Sequence, residues 1–600
     1  MPPSGEIRAE PARELLTIQN DTDGLECVAE EGYLYSGRQK DLIIRRNAMN
    51  KQLAVADYIV RRLAREGITD CFGVPGDYAF ELCDAVARSE AIHWIGCSNE
   101  LDAAYAADGY ARVRGCSMLL TTYAVGELSA LNGVMGAKAE RSCVFHLVGM
   151  PSMRHQRVHK IAHHTLGDGE FQNFANISAQ AACASAVITP DNCAEEMERL
   201  IATARAESRP AYMLVASDYA ITPVADSDPI PYPKPTSGPD LAKSVAAITE
   251  RIEAARSLAV LPAYAVSRFK LQDSLRALIE ALGCPFAAMA MDKGVLSEAH
   301  PQFAGIYSGA VSSPAVLQAV EGADVVIDAG GVCFHDINTS AYSSRIAPDR
   351  LLTIDVDHVQ IGEQIYNPVR MGDVFEMLAR SVRKNFGYSA PPRETTAKPG
   401  GKPNDPITAA AMYSRYRDFL RPRDQIVIES GSSTAGIVPL PLPDGAEVHC
   451  QTLWGSIGWA TGAALGIALA DPSRRTVLFT GEGSHQLTAA DVGTMGRNGL
   501  KPIIFVLNNE GYMVERALET NPDWVYNDLA PWNYHDLPAA LGCRGWFTAK
   551  AATLGELDAA MARAATGESA SYIEVVGGRM DLPAQLALAH ERLGAMYGSD

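Results

Sequence analysis

Two glycine-framed turns carry the groups that could do chemistry. Gly481-Glu482-Gly483-Ser484 closes an apolar, β-branched run at 476–480, and Asn508-Asn509-Glu510-Gly511 closes a second run at 502–507. Between Gly483 and Asn508 lie 24 residues, 484 to 507. Glu482 and Asn509 offer side-chain oxygens, and Gly511 a backbone carbonyl. That is a hard-cation set suited to Mg²⁺. Gly481, Gly483 and Ser484 leave backbone N–H groups open to a close-lying phosphate. The chemistry implied is a divalent cation bridging a diphosphate.

The two runs read as buried strands, with a helix predicted over 484–497 between them. A parallel βαβ unit brings both strand ends to one rim of the sheet, where ligands of open α/β sheets bind. The same grammar recurs earlier. A helix is predicted over 55–67, then strands at 69–74, 93–97, 117–123 and 144–148. Pro75-Gly76-Asp77 closes the first of these strands and Ser98-Asn99-Glu100 the second, ahead of a helix over 101–112. Taken alone, Glu100 reads as a helix cap. His155, His159 and His163 recur every fourth residue, but Arg154, Arg157 and Lys160 oppose a cation among them. A second α/β pattern at 241–386 has strands near 258–262, 325–328 and 351–355 and no catalytic constellation. Two Pro-rich stretches punctuate the chain. The expected divisions are 1–48, an N-terminal extension; 49–225, a first domain; 226–239, a linker; 240–385, a central domain; 386–406, a second linker; and 407–600, a third domain.

The 600 residues imply several domains. With 52 basic and 71 acidic side chains the net charge is −19, which argues against nucleic acid as a partner. No apolar run reaches membrane-spanning length, and the start lacks a signal-peptide pattern. The 12 cysteines are scattered without metal-like spacing, as expected of reduced thiols in a cytoplasmic protein.

Gly-Glu-Gly, 24 residues and Asn-Asn resemble the diphosphate and metal motif of thiamine-diphosphate enzymes. The run GEGSHQLT…GLKPIIFVLNNEGYMVE resembles the pyruvate, indolepyruvate and phenylpyruvate decarboxylases among them. One residue departs from the pattern: the family's Asp is Glu482 here. The resemblance implies an α/β fold of three doubly wound parallel-sheet domains, which are pyrimidine-binding, central and diphosphate-binding. It implies thiamine diphosphate and Mg²⁺ as cofactors. NELDAAYAADGYAR resembles the family's glutamate signature, so Glu100 would activate the cofactor at its pyrimidine ring. Asp77, the paired His163 and His164, and Glu515 match an acid–base cluster expected in a dry cleft. In LWGSIGWATG, Gly455 matches the carbonyl that accepts from the cofactor amine, and Ile457 the apolar support under its bend. Ser430 and Ser432 match cofactor-side positions. Ala435 falls where pyruvate-acting relatives carry a bulky ring.

The activity implied is non-oxidative decarboxylation of a 2-oxo acid bulkier than pyruvate, through an enamine to an aldehyde. A carboligase with an aldehyde or acyl acceptor is the alternative, and a non-catalytic cofactor-binding subunit a third reading favoured only by Glu482. The partners implied are a small-molecule substrate and a second copy of the chain, in a homodimer or homotetramer with sites between subunits, without nucleic acid or membrane. Residues 32–50 resemble the hinge of acyl-adenylating ligases and read as a fusion remnant or arm, with a docking segment as the alternative.

Overall fold

The computed structural model describes residues 52–226, 228, 231–391 and 397–588. The expected extension 1–48 and the ligase-like stretch 32–50 lie outside the described residues.

Among the described residues three large sheets carry the chain, beside a two-stranded antiparallel pair of Gln52–Ala54 with Pro223–Ala225. The first runs His93–Gly96, Asp70–Gly73, Ser117–Thr122, Val144–Met150, Ala211–Ala216, Ala184–Ile188, all parallel. The third runs Glu447–His449, Gln425–Ile428, Thr476–Gly481, Ile503–Asn508, Ser571–Val576, Phe547–Ala551, also all parallel. Numbered within each sheet, both follow the order 2-1-3-4-6-5. In such sheets the ligand crevice lies beyond the carboxyl ends of strands 1 and 3, where the winding reverses. That rule points to Asp77 and Ala124 in the first sheet, and to Ser430 and Glu482 in the third. The central sheet has seven strands, the last two antiparallel (Val359–Ile361 and Gln364–Tyr366). Its strands Leu258–Pro262, Val325–Ala329 and Leu351–Ile354 fall where the sequence predicts them. Among the described residues, no helix is long and apolar enough to cross a membrane.

Helix Glu100–Arg114 packs along helix Trp459–Ala470 and joins the first sheet's layer to the third's. The contact is close because small residues face it. A Cβ at Gly466 would stand 1.8 Å from the Ala106 carbonyl oxygen, and one at Gly109 would stand 2.3 Å from that of Ala463. Arg112 lies in this seam, bonded to Asp108, to Glu140 and to the Cys450 carbonyl, with its guanidinium 4.4 Å from the Trp459 ring centre. Each charge there has a partner, which offsets the cost of burying it.

Asp102 and Asp491 in the same seam do not. Both are fully buried, and none of their four carboxylate oxygens has a hydrogen-bond partner. Burial pushes the Asp102 carboxyl up to about 7, and burial with the neighbouring Asp102 charge holds Asp491 well above the usual range. In the unfolded chain such groups ionise near pH 4. Between those values the folded protein holds protons that the unfolded chain has lost, so stability falls as pH rises from about 4 towards 7. Asp102→Asn removes that ionisation and keeps the Asn99 cap, which accepts from the residue-102 N–H (2.9 Å). Its stability gain over wild type, read from thermal melts, should be larger at pH 8 than at pH 5.5, the gap between the two gains being on the order of 2 kcal/mol. An equal gain at both pH values would contradict this.

Candidate active site

The predicted helix over 484–497 is two helices, Glu482–Thr488 and Asp491–Arg497. The break follows Thr488, whose Oγ1 donates to the Gly458 carbonyl (2.7 Å), tying the turn to another segment. The first helix also starts two residues earlier than expected. Glu482 therefore opens it, and its carboxylate folds across to the facing strand end. Glu482 Oε1 accepts from the N–H groups of Asn509 (3.0 Å) and Gly511 (2.9 Å). The extra methylene is thus absorbed by backbone amides that orient the carboxylate.

One terminal atom of the Asn509 amide lies 2.8 Å from the Gly511 carbonyl oxygen and 3.1 Å from Glu482 Oε1. With nitrogen there, the amide donates to both. With oxygen there, three oxygens converge without a proton between them, which is the donor set of a hard divalent cation. The residues present therefore fit Mg²⁺. They also leave room for a diphosphate, since a Cβ at Gly481 would meet nothing within 4 Å. Gly511 must be glycine: its φ is +148°, and a Cβ would stand 2.2 Å from Arg516 Nη2 and 2.3 Å from the Asn527 carbonyl oxygen.

Ser430 and Ser432 lie at the end of the neighbouring strand. The Ser430 hydroxyl donates to the Gln451 carbonyl (2.7 Å), and the Ser432 carbonyl accepts from the Tyr413 hydroxyl (3.0 Å). Gly455 turns the chain with φ +66°, and Ile457 is 38 % exposed despite its apolar side chain. This segment is held from the first sheet's layer, because Glu140 Oε1 accepts the Leu453 and Trp454 N–H groups. A cavity of about 280 Å³ opens beside it, lined by Ser430, Ala435, Glu515, Leu518, Ile337 and Leu586 among others. Ala435 and Glu515 thus share one cavity. Ile337 comes from the central layer, where the sequence shows no site signal.

Asp77, His163 and His164 form a second group, with one ligand-type atom from each within 4.8 Å of the others. His163 Nε2 lies 2.8 Å from Asp77 Oδ2, and its Nδ1 lies 3.3 Å from the Tyr78 hydroxyl. Asp77 as acceptor assigns the proton to Nε2, leaving Nδ1 to accept from Tyr78. The Tyr78 ring stacks on His163 at 4.8 Å. The sequence reading missed Tyr78, whose only local signal is its place next to Asp77. His164 Nδ1 is buried without a partner. Helix Met153–Gln156 ends before His159, so the three four-spaced histidines share no helix face. Glu100 is the first residue of its helix, with Asn99 as the cap. Its Oε1 lies 3.3 Å from where a Gly126 Cβ would be. Two residues before Gly126, Ala124 has φ 55° and ψ −88°, and Glu127 accepts its N–H (2.9 Å).

The cleft expected to be dry is open in the single chain: the side chains of Asp77 and His163 are 44 % and 59 % exposed. Among the described residues, no hydrogen bond, ion pair or ring contact joins Asp77, Glu100, His163 or His164 to the 430–515 group.

Three family models match in sequence order. They are the N-terminal thiamine pyrophosphate binding domain over 53–176, the thiamine pyrophosphate enzyme central domain over 245–379, and the C-terminal thiamine pyrophosphate binding domain over 431–575. The alpha-keto-acid decarboxylase of Mycobacterium leprae is 40% identical over 546 residues, covering 89% of this chain and 94% of that one. That of Mycobacterium tuberculosis (strain ATCC 25618 / H37Rv) is 39% identical over 554 residues, 91% and 97% of the two chains. Among solved structures, a thiamine diphosphate-dependent 4-hydroxybenzoylformate decarboxylase from Rhodococcus jostii RHA1 superposes with a TM-score of 0.73 at 18% identity, over 88% of this chain and 99% of that one. A candidate thiamin diphosphate-dependent enzyme from Mycobacterium smegmatis does so at 0.73 and 21%, with the same coverage. The two superpositions speak for the fold, and the sequence relatives with the three ordered domains speak for the family. The chain belongs to the thiamine-pyrophosphate-dependent 2-oxo acid decarboxylases.

Proposed function

We propose that this chain decarboxylates a 2-oxo acid non-oxidatively, using thiamine diphosphate and Mg²⁺ in a cleft completed by a second copy. The observation that carries the reading is the pair of half-sites on one chain: a cation and diphosphate rim, and a separate carboxylate–imidazole cluster open to solvent. Thiamine diphosphate, when bound, supplies the electron sink that lets carbon dioxide leave. The rest is work for the chain's residues. Glu482, Asn509 and the Gly511 carbonyl hold the cation. Ser430, Ser432, Gly455, Ile457, Gly481, Gly483 and Ser484 shape the bed for the cofactor. Glu100 supplies the carboxylate that meets the pyrimidine. His163, oriented by Asp77 and Tyr78, holds a proton at Nε2. His164 and Glu515 complete the acid–base set. The non-catalytic reading loses its one support, because Glu482 reaches Asn509 and Gly511 in spite of its length.

Apolar residues flank both half-sites and face solvent in one subunit: Phe80, Val125, Ile161 and Leu166 beside the first, Trp454 and Leu487 beside the second. Exposed apolar surface of this kind marks an interaction face. It supports a homodimer as the working unit, with a homotetramer as a pair of dimers.

The cavity beside Ala435 favours a substrate bulkier than pyruvate. Ala435→Phe would fill it. Turnover of aryl or long-chain 2-oxo acids should then fall by on the order of tenfold or more, and that of pyruvate far less, since overfilling a packed site typically costs about 1–3 kcal/mol. Equal losses would refute the pocket assignment. A panel of 2-oxo acids read by mass spectrometry tests the reaction itself. Aldehyde is the expected product; acyloin formed only when an acceptor aldehyde is added would turn the assignment to a carboligase. No consumption of any 2-oxo acid by cofactor-loaded protein would overturn it.

A further inference from the structure

Glu429 is the buried carboxylate that ties three segments of the cofactor cleft together, and the family resemblance gives it no role. It follows strand Gln425–Ile428 and is 1 % exposed. Its N–H donates to the Phe479 carbonyl (2.9 Å), on the strand that ends in Gly481. Its Oε1 accepts from the Ser430 N–H (3.1 Å). Its Oε2 accepts from the N–H groups of Gly458 (3.2 Å) and Ala460 (3.4 Å). The last two open helix Trp459–Ala470, whose amino end favours a negative charge. No Lys, Arg or His pairs with Glu429 among the described residues, so backbone amides alone balance it. Burial pushes its carboxyl up to about 7, and the three amides hold it down.

The segment just before that helix carries Gly455 and Ile457, and the turn just after Glu429 carries Ser430, Ser432 and Ala435. We propose that Glu429 is a positioning residue for the decarboxylation. As a carboxylate, it clamps the 455–460 turn to the 430–435 turn and so sets the width of the cofactor bed. It touches neither substrate nor cofactor. The role rests on the cofactor reading above, and its test can fail independently of that reading.

Glu429→Gln keeps the shape and replaces one acceptor oxygen by an NH₂ group facing N–H donors. Glu429→Asp keeps the charge and draws it back by one methylene. The full chain is used for each variant. Amide hydrogen exchange over 453–462, without cofactor, should accelerate about tenfold or more in Glu429→Gln, in line with the strength of a hydrogen bond to a charged group. The dissociation constant for thiamine diphosphate with Mg²⁺, followed by tryptophan fluorescence, should weaken by about the same factor. Glu429→Asp should recover part of both. At saturating cofactor, counted per folded and cofactor-loaded site, kcat should fall while KM for the 2-oxo acid holds; a fall that disappears on this normalisation would mark a loss of stability instead.

Unchanged exchange over 453–462 together with unchanged cofactor affinity in a folded Glu429→Gln protein would overturn the proposal. Should the variants not fold, the wild type decides. The Gly458 and Ala460 amides must exchange far more slowly than an open surface turn, and fast exchange there would overturn it equally. Wild-type protein that fails to bind thiamine diphosphate would sink the cofactor reading instead, because the exchange test needs no cofactor.

Discussion

Glu100→Gln should lower kcat by about 10²–10⁴-fold, the usual contribution of a positioned acid–base group, while leaving the protein folded. Two observations separate the effect on rate from an effect on structure. Asn99, not Glu100, caps the helix, with its side chain accepting the Asp102 N–H (2.9 Å). The Glu100 carboxylate has no hydrogen-bond partner among the described residues, so removing its charge breaks no internal bond. As a mere acidic residue in a first helical turn, Glu100 would contribute only about 0.3–1 kcal/mol to stability and nothing to rate. Steady-state kinetics with thermal melting measures both. A folded Glu100→Gln protein with wild-type kcat would remove the carboxylate from the mechanism.

The second large effect is expected at Glu482. Glu482→Gln keeps an oxygen for the Asn509 and Gly511 N–H groups and loses the charge a hard cation needs. The Mg²⁺ concentration for half-maximal activity should rise by at least about 10–100-fold, the loss typical even for groups that only support a metal ligand. Excess Mg²⁺ should restore part of the activity. Glu482→Asp should stay much closer to wild type, since the resemblance places Asp at this position. Titrating activity and cofactor binding with Mg²⁺ in the three proteins measures this. Identical Mg²⁺ curves for wild type and Glu482→Gln would exclude Glu482 as a ligand.

Strand ends were the most legible part of the chain. The apolar runs expected at 476–480 and 502–507 are Thr476–Gly481 and Ile503–Asn508. Buried parallel strands have no polar alternation to blur them, and their glycine-rich ends mark where they stop. The places of Asp77, Glu100, Glu482 and Asn509 just after strand ends were legible for the same reason. The single helix over 484–497 was not. The bond from Thr488 to the Gly458 carbonyl spans 30 residues and leaves no local trace. Glu429 escaped likewise, because its partners Gly458 and Ala460 are 29 and 31 residues away. Ile337 reaches the cavity through the packing of one layer on another, which no periodicity records. The common 2-1-3-4-6-5 order of the first and third sheets emerges only once the strands are paired. It puts Asp77 and Ala124 in the first sheet, and Ser430 and Glu482 in the third, beyond corresponding strand ends.

The most direct measurement asks whether the two half-sites of one cleft come from different subunits. Glu100→Gln and Glu482→Ala chains would each be nearly inactive alone at limiting Mg²⁺. Co-expressed, they should form mixed dimers in which a shared cleft leaves one site wholly intact and the other doubly altered. Random pairing should then restore about a quarter of the wild-type activity. Mixed dimers, verified by mass, that stay as inactive as the parents would show each subunit working alone and would contradict the shared cleft.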